Sequence, residues 1–268
     1  MPVLHGRELE AALDIARRAG ELALGYFNQE TRTEEKEDRS PVTIADRECE
    51  KLISRLLADN FPDDGIVGEE GAYKPSVSGR RWLIDPIDGT RDFVRRNAHW
   101  SVQIALQAAD RVILGVIHLP CLGETVQAVA GSGCYWNDTR VQASTIDRLE
   151  KAVLAVSVFT SVWRKWPPDG VRSLTEKCWA VRAYGGCYDA VMFARGKVDI
   201  WLSGGGKEWD YAPIRIIVEE CGGRFLTKSG DNRIDANHCF VCVPRLELEL
   251  RRILNIQLRP PTSDLRLN

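Results

Sequence analysis

"WLIDPIDGTRDF", residues 82–93, is the stretch on which the reading of this chain turns. An apolar run ends on Asp85, Pro86 and Ile87 separate it from Asp88, and Gly89 and Thr90 follow. The apolar run reads as a strand, and Asp88-Gly89-Thr90 as the opening of a helix. Two carboxylates held this close repel, and the usual remedies are a raised pKa or a bound cation. Helix N-terminal amides, with a glycine permitting close approach, favour a phosphate at the same spot.

Three other acidic clusters also stand at the ends of apolar runs or on helices. Glu69 and Glu70 close "IVGEE", Asp210 opens a helix in "KEWDYAPIRIIVEECGG", and Asp46 lies in "TIADRECEKLI". Each has a plain explanation when taken alone. Asp210 serves as a helix N-cap, Glu69-Glu70-Gly71 as a solvated turn, and Asp85-Pro86 and Asp88-Gly89 as turn chemistry. Together, with no histidine in any motif, they form an oxygen-ligand set suited to a hard cation such as Mg²⁺ rather than to zinc. Acids, magnesium and a phosphate-ready helix start imply phosphate-ester chemistry. An aspartyl nucleophile of the D-x-D kind fits poorly, because the spacing here is D-x-x-D and the motif lies deep in the chain.

Composition excludes several classes. The chain has 268 residues, 44% hydrophobic and 28% charged, with a formal net charge of −2 and both signs mixed along it. That argues against a nucleic-acid polymer or an anionic membrane surface as partner. The N-terminal segment 8–27 is an amphipathic helix rather than a signal peptide, and no apolar run reaches membrane-spanning length, so the expected location is cytoplasmic. The eight cysteines read as small buried apolar residues. Cys239 and Cys242 form a CxxC with no second pair, on a strand where positions i and i+3 face opposite sides.

Helical patterns cover residues 8–28 and 43–60, and the polar stretch 31–43 between them is expected to be a loop or mobile hairpin. Short strands follow at 66–67, 81–84, 100–107, 112–117 and 125–129, which suggests an α+β layer. Past about residue 145 strands and helices alternate in α/β fashion: strand 152–158, helix 169–178, strand 179–184, helix 187–195, strand 198–202, helix 209–221 and two more strands. The expectation is therefore an α+β half, 1–145, and an α/β half, 146–268, tightly packed with the site between them.

"GEE", "WLIDPIDGTRDF" and "EWDYAPIRIIVEECGG", in that order, resemble the three signatures of the inositol monophosphatase family, and "SPVTIADRECEKLI" is similar to its second helix. The resemblance spans nearly the whole chain. It implies a layered α-β-α-β-α sandwich of the inositol monophosphatase and fructose-1,6-bisphosphatase type. It further implies a lithium-sensitive phosphoric monoester hydrolase with two to three Mg²⁺ per site, working as a homodimer. By position, Glu69, Asp85 and the carbonyl of Ile87 are implied to hold one Mg²⁺, and Asp85 bridges to a second completed by Asp88 and Asp210. Glu70 is implied to hold water around a weaker third ion. Thr90, bonded to Asp46, is implied to orient and help deprotonate the attacking water, while the amides of Gly89 and Thr90 bind phosphate oxygens.

"WAVRAYGGCYDAVMFARGKVDI" is more similar to the histidinol-phosphatase branch than to animal-type inositol phosphatases. The implied substrate is a small soluble ester, inositol monophosphate or histidinol phosphate. The alternatives are 3′-phosphoadenosine 5′-phosphate and fructose 1,6-bisphosphate on the same core. A catalytically inactive relative acting as a binding protein is disfavoured, since every metal carboxylate and Thr90 are present.

The substrate side departs from the pattern. Ser203 stands where the family usually has a glutamate, and Gly186 where the histidinol-phosphatase branch tends to carry Asp, with Asp189 displaced nearby. Glu208, before Trp209, is instead reminiscent of the nucleotide-bisphosphate branch. By position the substrate contacts are Gly185, Gly186, Cys187 and Ser203, all small. Trp163 and Trp166 are expected to pack a domain face rather than to form a lid. Arg91, Arg95 and Arg96, on the helix after Gly89-Thr90, fit either anion steering or a solvated face.

Overall fold

The structure is a computed structural model that describes residues 5–29, 33–35 and 41–256. Two helices begin the chain, α1 (Gly6–Phe27) and α2 (Ile44–Asn60), and between them β1 (Thr33–Glu35) pairs antiparallel with β2 (Pro41–Thr43). The expected polar loop or mobile hairpin is thus a hairpin at its base, and its tip, 36–40, lies outside the described residues. Thr43 caps α2: its hydroxyl accepts from the Ala45 amide, and Asp46 accepts from the Thr43 amide in return.

Eight strands make the first sheet: β3 (Gly65–Gly68), β4 (Tyr73–Lys74), β5 (Arg80–Asp88), β6 (Ser101–Ala108), β7 (Arg111–Leu119), β8 (Glu124–Val129), β9 (Gly133–Trp136) and β10 (Thr139–Val141). Their spatial order is β10-β9-β8-β7-β6-β5-β3-β4, antiparallel throughout except that β3 runs parallel to β5. Both faces are covered, and the strands sort their side chains accordingly. Trp82, Ile84, Ile104, Leu106, Leu114 and Val116 join the core with Ala12, Ile15, Ala16, Ile53 and Leu57 of α1 and α2. Leu83, Ala105, Ile117, Val126 and Ala128 join the opposite core. That is the two-residue alternation of a sheet buried on both sides.

The second sheet has five strands, β11 (Val153–Ser157), β12 (Ala180–Arg182), β13 (Ile200–Ser203), β14 (Arg224–Leu226) and β15 (Cys239–Cys242), in the order β12-β11-β13-β15-β14. Around it lie α4 (Phe159–Lys165), α5 (Pro168–Lys177), α6 (Tyr188–Ala194), α7 (Glu208–Glu220) and α8 (Glu247–Ile253), while the single turn α3 (Thr90–Val94) belongs to the first half. Helix α7 packs on β5–β8 of the first sheet and on β14 of the second, and α6 packs on α7, β11 and β13. Helix α4 packs on β11 and β13, and α5 on α8. The layers are therefore α1/α2, first sheet, α6/α7, second sheet, α4/α5/α8, the α-β-α-β-α sandwich.

Gly115 on β7 shows how tightly α7 is seated. A Cβ there would lie 2.5 Å from the Ile216 side chain and 2.8 Å from the Pro213 Cα. All eight cysteines are unpaired, and Cys239 and Cys242 are core residues of β15. Of the tryptophan pair, Trp166 is packed in the core beside Phe240 and donates its indole N–H to the Ser203 carbonyl at 3.2 Å. Trp163 stands on the surface.

Candidate active site

The register of β5 against β6 slips between Asp85, which faces Gln103, and Asp88, which faces Ser101. Three steps along β5 answer two along β6, so the strand carries an extra residue at Pro86-Ile87. Proline has no N–H to give to a ladder, and a bulge re-aims the side chains beside it. Asp85 closes its own turn by accepting from the Ile87 amide at 3.1 Å. Gly89 then takes φ +85, and a Cβ there would meet the His99 carbonyl at 3.1 Å. Only glycine fits both constraints comfortably.

The bulge turns Asp88 toward the other half of the molecule, where its Oδ2 accepts from the Cys187 amide at 2.8 Å. Asp210 arrives from the first turn of α7. It is not the N-cap. Lys207 holds that position, and Asp210, three residues on, accepts from the Lys207 amide. Asp85, Asp88 and Asp210 present carboxylate oxygens within 4.8 Å of one another. Glu69 lines the same cavity and raises the proton affinity of all three.

Electrostatics follow from that crowding. Burial, then the charges of Glu69, Asp210 and Asp88, pushes the Asp85 carboxyl well above the ordinary range. Burial also raises Asp88, against the opposing hydrogen bond from Cys187. Asp210 is pushed up to about 7, by burial first and by Asp88 next. Asp46 is pushed up to about 6 by burial, opposed by the Thr43 hydroxyl and amide that both donate to its Oδ2 at 2.7 Å. Its other oxygen faces Thr90, whose hydroxyl lies 3.4 Å from Asp46 Oδ1 and 3.2 Å from the Ile87 carbonyl.

Asp88, Asp210 and Glu69 edge a cavity of about 650 Å³ also lined by Arg91, Ser157, Val158, Gly185, Gly186, Cys187, Ser203, Lys207, Trp209 and Asn237, among others. The four small substrate-side positions named from sequence all line it. The Ser203 hydroxyl is already engaged, donating to the Gly205 carbonyl at 2.9 Å and lying 3.0 Å from the Tyr211 hydroxyl.

A sequence model described as the inositol monophosphatase family matches residues 7–256. The chain belongs to the inositol monophosphatase family. It is similar to a histidinol-phosphatase of Chlorobaculum parvum, 40% identical over 219 residues that cover 81% of this chain and 84% of the relative. It is also similar to inositol monophosphatase 1 of Solanum lycopersicum, 30% identical over 83% of this chain and 85% of the relative. Among solved structures, a Thermotoga maritima inositol monophosphatase superposes with a TM-score of 0.84 at 28% identity, covering 93% of this chain and 97% of that one. Like its family, the protein is a phosphatase acting on phosphate monoesters.

The donor set fits the metal dependence general to the inositol monophosphatase family. Three carboxylates converge with no lysine or arginine bonded to them among the described residues, so without a cation only protons can offset their mutual repulsion. Oxygen ligands of this kind are what a hard divalent cation takes.

The expectation for the three arginines changes. The helix after Gly89-Thr90 is one turn of five residues, so Arg95 only caps it and Arg96 lies beyond it at φ +62. Arg96 is tied to the end of α1 through the carbonyls of Tyr26 and Gln29 and stacks over Phe27, whereas Arg91 lines the cavity. The sequence reading also passed over Lys207, Asn237 and Val158 on the cavity wall, and Glu50 behind it. Glu50 had a usable signal: it lies one helical turn after Asp46 and therefore on the same face of α2.

Proposed function

We propose that the protein is a Mg²⁺-dependent phosphomonoesterase that hydrolyses a small soluble ester, histidinol phosphate or inositol monophosphate, by attack of water on phosphorus. The observation that carries this is the convergence of Asp85, Asp88 and Asp210 from segments more than a hundred residues apart, at a cavity wall that also includes Glu69. Glu69, Asp85, the Ile87 carbonyl, Asp88 and Asp210 would hold the ions, with Glu70 at a weaker site. Mg²⁺ held there would make water acidic enough to act as a nucleophile at neutral pH and would offset charge on the attacking and leaving oxygens.

The chain's own residues do the rest. The Thr90 hydroxyl has two acceptors, the Ile87 carbonyl at 3.2 Å and Asp46 Oδ1 at 3.4 Å; with that carbonyl engaged by a cation, Asp46, held from behind by Thr43, would take the Thr90 proton. The Thr90 oxygen is then left to accept a proton from water on its open side. The amides of Gly89 and Thr90 bind phosphate oxygens, which the left-handed glycine lets approach closely. Gly185, Gly186, Cys187 and Ser203 face the alcohol part of the ester. The similarity to histidinol-phosphatases supports histidinol phosphate as the leading substrate. The family resemblance supports a cytoplasmic homodimer sensitive to Li⁺; among the described residues no helix is long and apolar enough to cross a membrane.

A second reading, a bisphosphate of a nucleoside or sugar, is favoured by the cavity's cations. Arg91 and Lys207 line it. The acids that would greet an ammonium group are occupied: Asp189 accepts from Ser157 and the amides of Tyr184 and Gly185, and Glu208 pairs with Arg81 at 2.6 Å. Phosphate release from a panel of the four esters separates the two. We expect histidinol phosphate and inositol 1-phosphate both to turn over, within about two orders of magnitude of each other, because missing polar contacts limit discrimination. Strict preference for an adenosine or fructose bisphosphate would select the second reading.

A further inference from the structure

Every backbone N–H of the turn that carries Glu69 and Glu70 has a named acceptor. Gly68 donates to the Ala72 carbonyl at 2.8 Å, Glu69 to Ile84 at 3.1 Å and Gly71 to Gly68 at 3.4 Å. The remaining two, Glu70 and Ala72, donate to the two oxygens of a single side chain, Glu50 Oε2 and Oε1, at 2.7 Å each. Glu50 is 4% exposed, and no lysine or arginine bonds it among the described residues. A carboxylate so buried is costly without a partner, and here two amides serve as its partners. The fit is close: a Cβ on Gly68 would lie 2.3 Å from Glu50 Oε2.

We infer that Glu50 is a positioning residue: its two-pronged grip on the Glu70 and Ala72 amides sets the turn so that Glu69 faces the Asp85–Asp88–Asp210 cluster. Asp46 and Glu50 lie one turn apart on α2, one directed at Thr90 and the other at the Glu69–Glu70 turn. One rigid helix thereby fixes both sides of the site, and the register between them is set by helical pitch. The residue touches neither substrate nor reacting atoms. Outer partners that orient a ligand group set metal affinity, and their loss costs roughly 10–100-fold. This inference rests on Glu69 being a metal ligand, as proposed above.

The test measures Mg²⁺ binding by calorimetry and the Mg²⁺ half-saturation of phosphate release, with amide hydrogen exchange at residues 69–72 read in parallel on metal-free protein. Glu50→Gln keeps size but turns one acceptor into a donor facing an amide N–H. Gly68→Ala reaches the same end from the other side, by pushing the Glu50 carboxylate off the amides while leaving the side chain intact. Both variants should bind Mg²⁺ about tenfold or more weakly, with faster exchange at Glu70 and Ala72. At saturating Mg²⁺, kcat should fall by no more than about threefold, a split that general destabilisation would not produce. Faster exchange with parental Mg²⁺ affinity in both variants would overturn the inference and leave Glu50 a structural cap. The parent protein separates this from failure of the underlying reading: if it binds no Mg²⁺, the metal assignment itself is wrong.

Discussion

Asp210 sits at the third position of α7, where Asn would keep the bond from the Lys207 amide and remove the charge. If Asp210 serves only the helix start, Asp210→Asn is nearly silent. If it ligates a cation, turnover should fall by a factor on the order of 10² or more, and Mg²⁺ should raise the melting temperature less than in the parent. Metal-free protein should lose nothing, because a repelling carboxylate leaves the cluster. The pH dependence carries the same signature. Asp210 has its folded value raised to about 7, so its contribution is fully present below the unfolded carboxylate value near 4 and is lost as pH rises through about 7. Asp46, raised to about 6, behaves alike over the lower part of that window. His118 and His238 are lowered by burial and work the other way, losing stability as pH falls below their unfolded value. The diagnostic is therefore the difference between parent and Asp210→Asn without metal. The parent should lose stability relative to the variant from about pH 4 to pH 7, and parallel curves would contradict the raised carboxyl.

Helices α2 and α7 are the elements that bring the site together, and α7 has the smaller tolerance. Gly115→Ala puts a methyl group against the Pro213 backbone, which cannot swing away as a side-chain end can. We expect about 1–3 kcal/mol of destabilisation from overpacking, and lowered turnover because α7 carries Asp210. A normal melting temperature with normal activity would mean that the α7 seat is looser than its contacts imply. Elements with strong period were legible in the sequence: α1, α2, α7 and the strands β5–β8 fall within a few residues of their expected bounds. Helix α4 was not. The sequence reading ends its strand at residue 158 and assigns "FTSVWRK" no element; the helix forms because Val162 is buried and Gly204 lets the α4 backbone lie against it. A Cβ on Gly204 would sit 2.3 Å from the Val162 amide, so Gly204 of "SGGGKEWD" is the floor on which α4 rests. That contact pairs residues some forty positions apart, and no local pattern announces it.

For the whole molecule, the acidic motifs were legible because each is a run of adjacent residues with a chemical meaning. Their convergence is a property of the sandwich, since Asp210 reaches Asp85 only when α7 lies between the two sheets. The alcohol side of the cavity was least legible. Lys207, Asn237 and Val158 come from three connections whose mutual placement depends on the second sheet. The account's central claim is that the carboxylate cluster works by holding magnesium. It is tested most directly by phosphate release from histidinol phosphate and inositol 1-phosphate, measured with chelator-stripped protein as Mg²⁺ is titrated back. The account predicts no turnover in excess chelator, saturable recovery with Mg²⁺, and inhibition when Ca²⁺ replaces it, because calcium's looser geometry misplaces the attacking water. Full turnover in excess chelator would contradict it.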